Sequence, residues 1–289
     1  MPLRLGLPKG SLQEATFKLF AQAGWTIRVD ARSYQPVVDD PNLEAVLIRP
    51  QEIPRYLEDG IIDVGLTGHD WIQDCGADVR EICELAYSKA TRNPIRVVLA
   101  VSQDAPVHGP ADLAGKRIVT EYVRLTERYL AGHGVGARVE FSWGACEVKV
   151  PALADAIVVN TETGSSLRAH NLRIVDTLLT STTRLVCNHD AWNDAAKRAA
   201  IEDMAMLLTG ALNAGGLVGL KLNVSADYFD AVVARLPSLK RPTVAPLHGD
   251  AGFAIEIIIE EKMARELIPA LRRAGAEGIV EYPLNKVIY

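Results

Sequence analysis

Three loops in this chain gather the residue types that hold phosphate. The first, Pro8-Lys9-Gly10-Ser11, follows the alternating run Leu3 to Leu7 and precedes the helix-like run Leu12 to Ala23. A helix start offers free N–H groups and the positive end of its dipole, and Lys9 adds a mobile cation. Ser11 and Glu14 have the S-x-x-E spacing of a capping box, so an ordinary capped surface helix fits the same residues. The second loop, Thr67-Gly68-His69-Asp70, ends the run Ile61 to Leu66. Asp70 is placed to cap the turn that follows, and Thr67, Gly68 and Asp70 would face the crevice beyond the strand ends of an open α/β sheet. A plain strand-to-helix turn has the same composition, and Asp63 within the run reads as structural. The third loop is the most informative. Asp155 to Asn160 leads into Thr161-Glu162-Thr163-Gly164-Ser165-Ser166 and the helix-like Leu167-Arg168. Small hydroxyl residues around one glycine, followed by a helix start, wrap N–H and O–H donors around a terminal phosphate. A flexible polar turn is the alternative. Neither G-x-x-x-x-G-K-[ST] nor G-x-G-x-x-G is present, which weighs against a P-loop kinase and a Rossmann dehydrogenase.

Further groups stand where other strands should finish: Arg49 after Ala45 to Ile48, Glu121 and Tyr122 after Ile118 to Val119, and Trp143 with Glu147 after Ala137 to Phe141. An arginine, aromatic rings and two carboxylates could thus converge on one crevice. Singly, each also fits a packing or solvated role.

These loops need a scaffold of alternating strands and helices. Strand-like runs at Leu3 to Leu7, Ala45 to Ile48, Ile61 to Leu66 and Ile95 to Val101, separated by helical or turn-rich stretches, predict α/β layers with largely parallel sheet. A second set at Ile118 to Val119, Ala137 to Phe141 and Ala156 to Asn160 predicts a second lobe. Ile201, Met204, Leu207, Leu208 and Ala211 recur at helical spacing over 193–213, and Gly215-Gly216 supplies a stop. Beyond it, strand 217–224, helix 226–236, strands 243–247 and 253–259, helix 263–274 and strand 278–282 follow the split-βαβ, ferredoxin-like order.

Composition narrows the function classes. The 289 residues are 48% hydrophobic and 23% charged, an ordinary globular balance with room for two or three domains. A net charge of -5 argues against a nucleic-acid binder, which needs surplus Lys and Arg to displace counterions. The four cysteines form no C-x-x-C pair and the six histidines no H-E-x-x-H, so thiols in a reducing cytoplasm and a metal that arrives with substrate are expected. No signal peptide and no run of about 18 apolar residues is present, so a cytoplasmic protein with no membrane span is expected.

In order, LPKGSL at 7–12, LIRPQEIP at 47–54, DVGLTGHD at 63–70, RIVTEY at 117–122, SWGACEVKVP at 142–151 and TETGSSLRAHNL at 161–172 resemble ATP phosphoribosyltransferase. GLKLNV at 219–224, LPSLKRPTVAPL at 236–247 and GIVEYPLNKVI at 278–288 resemble that family's regulatory domain, so the resemblance spans the chain. It implies an α/β catalytic core of two lobes with the type II periplasmic-binding-protein fold, residues 1–92 with 184–213 and residues 93–183, plus a ferredoxin-like, ACT-like α+β domain over 214–289. It also implies transfer of the phosphoribosyl group of phosphoribosyl pyrophosphate to N1 of ATP, with Mg2+, in the first step of histidine biosynthesis. Histidine is the implied feedback inhibitor, and a homo-oligomer between dimer and hexamer the implied assembly.

Residue by residue, the resemblance puts catalytic roles on Lys9, Arg49 and Glu147. It puts phosphoribosyl pyrophosphate on Asn160, Thr161, Glu162, Thr163, Gly164, Ser165, Ser166 and Leu167, and the nucleotide on Gly10, Ser11, Thr67, Gly68, Asp70 and Tyr122. The histidine pocket maps to Asn223, Leu239, Thr243 and Gly278. Two departures stand out: Val159 occupies a position where the family usually has Asp or Glu facing the ribose hydroxyls, and Val123-Arg124 replaces the usual Pro-Asn. Asn160, Glu162 and Asp155 are candidates to make good the missing carboxylate. A two-lobe ligand-binding or regulatory module without catalysis is the alternative function.

Overall fold

The computed structural model, which describes residues 2–30, 33–87, 93–237 and 241–289, folds the alternating runs into three principal sheets. The chain divides into two compact units, Met1–Ala205 and Met206–Tyr289. In the first unit, one five-stranded sheet runs in the order Leu43–Ile48, Leu3–Pro8, Val64–Gly68, Thr183–Cys187, Arg80–Leu85. The other runs Arg138–Phe141, Arg117–Thr120, Ala156–Thr161, Ile95–Ser102, Leu172–Ser181.

The two sheets share one plan. Three neighbouring strands pair in parallel, and a fourth, Thr183–Cys187 in the first sheet and Ile95–Ser102 in the second, lies antiparallel to the strands on both sides. The expected sheets were largely parallel; half of these pairings are antiparallel. The cause is the path of the chain, which leaves the first sheet after Leu85, enters the second at Ile95 and comes back at Thr182. A strand fed by such a passage is not delivered by a helical crossover, so it need not lie parallel to its neighbours.

Strand Ile95–Ser102 is apolar on both faces because both are covered. Val97, Leu99 and Val101 pack with Ile118, Leu130 and Tyr122, while Val98 and Ala100 pack with Ile157 and Leu167. The run Ile61 to Leu66 starts later than its composition suggests, at Val64, because Ile61 and Ile62 turn back to donate their N–H groups to the Tyr56 carbonyl.

Asp63 ties this turn to the rest of the sheet. Its buried carboxylate accepts from the Arg4 backbone N–H at 2.8 Å, from the Arg4 guanidinium at 2.8 Å and from Lys197 Nζ at 3.0 Å. Burial pushes the carboxyl up, but the Arg4 and Lys197 hydrogen bonds outweigh it and hold the group below its ordinary range.

The second unit forms a four-stranded antiparallel sheet in the order Thr243–Pro246, Phe253–Glu260, Leu217–Val224, Glu277–Pro283. In chain order this is 2-3-1-4, the split-βαβ arrangement. One face is covered by the helices, through Leu222, Val224, Val232, Ile255 and Leu271. The expected helix 226–236 is instead a 3-10 turn, Ala226–Tyr228, and a short helix, Phe229–Val233. The break falls at Tyr228, whose ring lies so close against Gly275 that a Cβ there would stand 2.5 Å from it.

Asp63→Ala should lower the urea unfolding stability by about 3 kcal/mol at neutral pH, since it leaves two cations without their shared acceptor. Because the native carboxyl titrates below its unfolded value, the contribution is complete above roughly pH 4 and disappears as pH falls through the native value. The gap between variant and wild type should therefore close in acid; a gap that persists there would rule out the ion-pair account.

Candidate active site

The parallel strands of both sheets end on one cleft of about 670 Å³. On the first-sheet side, the chain leaves Leu3–Pro8 through Lys9 and Gly10. Gly10 has φ 114°, and a Cβ there would stand 3.3 Å from Arg49 Nη1, so the turn can lie against the guanidinium only as glycine. Lys9 and Arg49 both line the cleft, and the Lys9 ammonium rests 3.3 Å from the centre of the Tyr34 ring. The capping box does not form. The helix begins at Gln13 with Leu12 as its cap and no side-chain cap bond, which leaves Ser11 on the cleft wall and Glu14 exposed. Thr67, expected to face the cleft, is buried, and its hydroxyl donates to the Pro50 carbonyl at 2.7 Å. It anchors the loop that carries Arg49.

On the second-sheet side, strand Ala156–Thr161 delivers the hydroxyl loop. Gly164, at φ 73°, turns the chain into the short helix Ser165–Ala169 and donates its N–H to Thr161 Oγ1 at 2.9 Å. Thr163 Oγ1 donates to Ser165 Oγ at 3.0 Å, and Arg168 Nη1 donates to the Thr163 carbonyl at 3.0 Å, closing the loop. Asn160, Thr161, Glu162, Thr163, Ser165 and Ser166 line the cleft, whereas Leu167 is buried behind them in the core. The opening amides of such a helix have no acceptor within it, so N–H and O–H donors converge here. Glu147 stands beside the loop and accepts from Ser166 Oγ at 2.8 Å.

Between the two sides runs a buried polar chain. Asp70, 1% exposed, accepts from Ser181 Oγ at 2.6 Å and from Tyr122 Oη at 2.7 Å, and Tyr122 Oη accepts from Asn160 Nδ2 at 2.8 Å. Asp70 therefore does not cap its helix as expected; Gly68 holds the cap position, and the carboxylate is spent across the lobes. Tyr122, 2% exposed, stacks on Trp71 with ring centres 4.2 Å apart. Burial, and then the Asp70 carboxylate, push its phenol well above the ordinary value, so it stays a neutral donor. Tyr122 thus supports the cleft from behind.

A family model described as ATP phosphoribosyltransferase matches residues 49–210, and one described as HisG, C-terminal domain, matches residues 214–286. An ATP phosphoribosyltransferase of Pelotomaculum thermopropionicum is 56% identical, with 100% of both chains covered. One of Pelodictyon phaeoclathratiforme is 57% identical over 99% of this chain and 97% of its own. This chain belongs to the ATP phosphoribosyltransferase family. It is a phosphoribosyl-transferring enzyme of the first step of histidine biosynthesis. Among solved structures, a chain of the ATP phosphoribosyl transferase (HisG:HisZ) complex from Thermotoga maritima aligns with a TM-score of 0.62 at 25% identity, covering 72% of this chain and 98% of that one.

The departures from the family pattern have visible consequences. Arg124 Nη1 donates to the Cys75 carbonyl at 2.8 Å, so the residue in place of the usual asparagine bridges the two lobes. Asp155 accepts from the Arg117 N–H at 2.9 Å at the far end of its strand, away from the loop, and Asn160 uses only its Nδ2, as a donor to Tyr122 Oη. Asp155 therefore does not make good the carboxylate missing at Val159, whereas Asn160 and Glu162 line the cleft. Trp71, Ser181 and Tyr34 carry no role in the sequence reading of the site. Glu121, expected at the crevice from its place after a parallel strand, lines the cleft, whereas Ser181 has no local signal.

In the second unit, Asn223 and Gly278 are neighbours: a Cβ on Gly278 would lie 3.6 Å from Asn223 Nδ2. Thr243 lies on the edge strand and lines a hollow of about 420 Å³ with Arg241, Glu256 and Tyr282. Leu239 lies outside the described residues.

Tyr122→Phe should cost about 2 kcal/mol in urea unfolding, because Asp70 Oδ2 and Asn160 Nδ2 lose their shared partner inside the protein. The loss should stay constant from about pH 6 to pH 9, since the phenol remains protonated there. A neutral substitution would show that this chain of hydrogen bonds does not hold the lobes.

Proposed function

We propose that the cleft binds both substrates of the family's reaction, with the sugar phosphate on the second-sheet side and the nucleotide on the first. The observation that carries this reading is that Lys9, Arg49 and the Thr163 to Ser166 hydroxyls line one cleft. Thr163, Gly164, Ser165, Ser166 and Leu167 form the 5-phosphate cradle, with Asn160, Thr161 and Glu162 at its rim. Gly10, Ser11, Gly68 and Asp70 shape the nucleotide side, while Thr67 and Tyr122 set its depth from behind. Glu147 orients Ser166 through the bond described above.

The adenine N1 attacks C1 of the pentose as the C1–O bond to pyrophosphate breaks, so positive charge gathers on the sugar and negative charge on the leaving group. Lys9 and Arg49 stabilise that negative charge, and the two walls hold the reacting atoms in line. Among the described residues no cluster of three acidic or thiol/imidazole side chains could hold a metal. Mg2+ carried on the substrate phosphates would supply charge neutralisation of the leaving pyrophosphate beside Lys9 and Arg49. No covalent enzyme intermediate is needed.

The two catalytic lobes correspond to residues 1–92 with 184–213 and to residues 93–183, in the type II periplasmic-binding-protein arrangement. The passage into the second sheet and back supports this. Residues 214–289 form an ACT-like regulatory domain that takes histidine, with Asn223, Gly278, Thr243 and Leu239 around the ligand. Ile258 and Val280 lie exposed on the face of the sheet away from the helices, which supports assembly of copies between dimer and hexamer. No described helix is long and apolar enough to cross a membrane, and a cytoplasmic site of action suits both substrates.

Purified full-length protein given ATP, phosphoribosyl pyrophosphate and Mg2+ should form phosphoribosyl-ATP, and Lys9→Ala should lower kcat at least about tenfold. Absence of product from the wild type would overturn the assignment, and unchanged kinetics in the variant would remove Lys9 from it. Histidine should inhibit the wild type, whereas Asn223→Ala with Thr243→Ala should keep turnover and need about tenfold more histidine or more. An unaltered inhibition curve would place the regulator elsewhere.

A further inference from the structure

Four carboxylates lie in or beside the cleft, and their partners separate them. Asp70 is taken by Tyr122 and Ser181, Glu147 by Ser166, and Glu162 has an interaction of its own. Glu121 accepts no hydrogen bond and pairs with no cation among the described residues, yet it borders both the cleft and an adjoining hollow of about 200 Å³ under Val159 and Asn160. The fold places it closely. Thr120 pairs with Val158 on the neighbouring parallel strand, so Glu121 stands level with Val159, where the chain turns into the hydroxyl loop. Gly144, at φ 96°, lies so near that a Cβ there would stand 3.2 Å from Glu121 Oε1, so the carboxylate rests against the Gly144 turn.

A half-buried carboxylate with no partner repels phosphate, so what it suits is a ligand that donates protons to it. A pentose supplies that ligand through two adjacent hydroxyls, each able to donate to one carboxylate oxygen in a charge-assisted bond. With its phosphate in the loop from Thr163 to Ser166, the sugar ring would lie over this end of the sheet. Val159 offers it no acceptor, and Asn160, whose Nδ2 donates to Tyr122 Oη, offers only a neutral carbonyl oxygen, a weaker acceptor than a carboxylate.

We propose that Glu121 accepts the hydrogen bonds of the O2 and O3 hydroxyls of phosphoribosyl pyrophosphate and makes this enzyme demand a ribose. The proposal rests on the reading of the cleft given above. Glu121→Gln keeps the shape and disturbs no internal bond, so the full-length variant is the test. Ribose 5-phosphate and 2-deoxyribose 5-phosphate are the calorimetric probes, since they carry the monoester without the magnesium-binding pyrophosphate.

The variant should bind ribose 5-phosphate roughly ten- to hundredfold more weakly and lose most of the wild-type preference for ribose over 2-deoxyribose. In turnover, KM for phosphoribosyl pyrophosphate should rise while KM for ATP stays within about twofold. Equal affinity of variant and wild type for ribose 5-phosphate overturns the proposal. So does a defect seen only as a higher magnesium requirement, which would make Glu121 a metal ligand. Wild-type turnover separates the two levels: if the wild type makes no phosphoribosyl-ATP the underlying reading fails, and if it does while Glu121→Gln is unaffected only this assignment fails.

Discussion

The architecture of the catalytic unit depends on how one buried carboxylate is satisfied. Removing Asp70 from water costs several kcal/mol, and only well-made hydrogen bonds can offset that. The hydroxyls of Ser181 and Tyr122 supply them. Both donors belong to the second sheet's part of the chain, while Asp70 belongs to a helix that follows the first. The two lobes therefore cannot separate without exposing or orphaning the carboxylate. The Trp71 and Tyr122 rings add apolar area to the same contact, and Arg124 and Leu125 add bonds to Cys75 and Asp74.

Once the lobes are pinned there, the strand ends on either side face each other across a fixed gap, and the chemistry divides by wall. The first sheet contributes cations carried on short turns, Lys9 and Arg49. The second contributes neutral donors, held in shape by bonds among Thr161, Thr163, Ser165 and Arg168. Such internal bonding means the loop's groups are ordered before a ligand arrives, which lowers the cost of binding it. Asn160 links the two arrangements, since it sits in the cleft lining and also bonds the Tyr122 hydroxyl that pins the lobes.

Elements governed by local rules were legible in the sequence. The alternating or continuous apolar runs gave most strands of the first unit, and the spacing of Ile201, Met204, Leu208 and Ala211 gave the long helix Ala195–Ala214. The order of elements in the second unit emerged for the same reason. Strand Leu172–Ser181 was not legible because its pairing slips between Ile174 and Asp176 and again between Thr177 and Leu179, so no period of two survives. Thr183–Cys187 was missed because its place is set by the chain's return, not by its composition. Within the site, the loops were read from residue types, but their commitments were not. Ser11 looked like a cap and is not one, while Asp70 looked like a cap and is a strut. The partners that decide this lie 52 and 111 residues from Asp70, beyond any local pattern.

The distribution of charge explains why the cleft suits substrates that bring their own counter-ion. On the reading proposed above two polyphosphate chains meet in it, and the cations on its described lining are Lys9 and Arg49. Asp70, Glu121 and Glu162 lie on the same lining and oppose them. At a separation of a few ångströms and an effective dielectric near 20, each uncompensated pair of charges is worth about 4 kcal/mol, so a free pair of anionic substrates would repel each other and the walls. A divalent cation carried on the phosphates would remove most of that repulsion. On that reading Glu121 serves the sugar hydroxyls, while Asp70 serves the bonds to Tyr122 and Ser181.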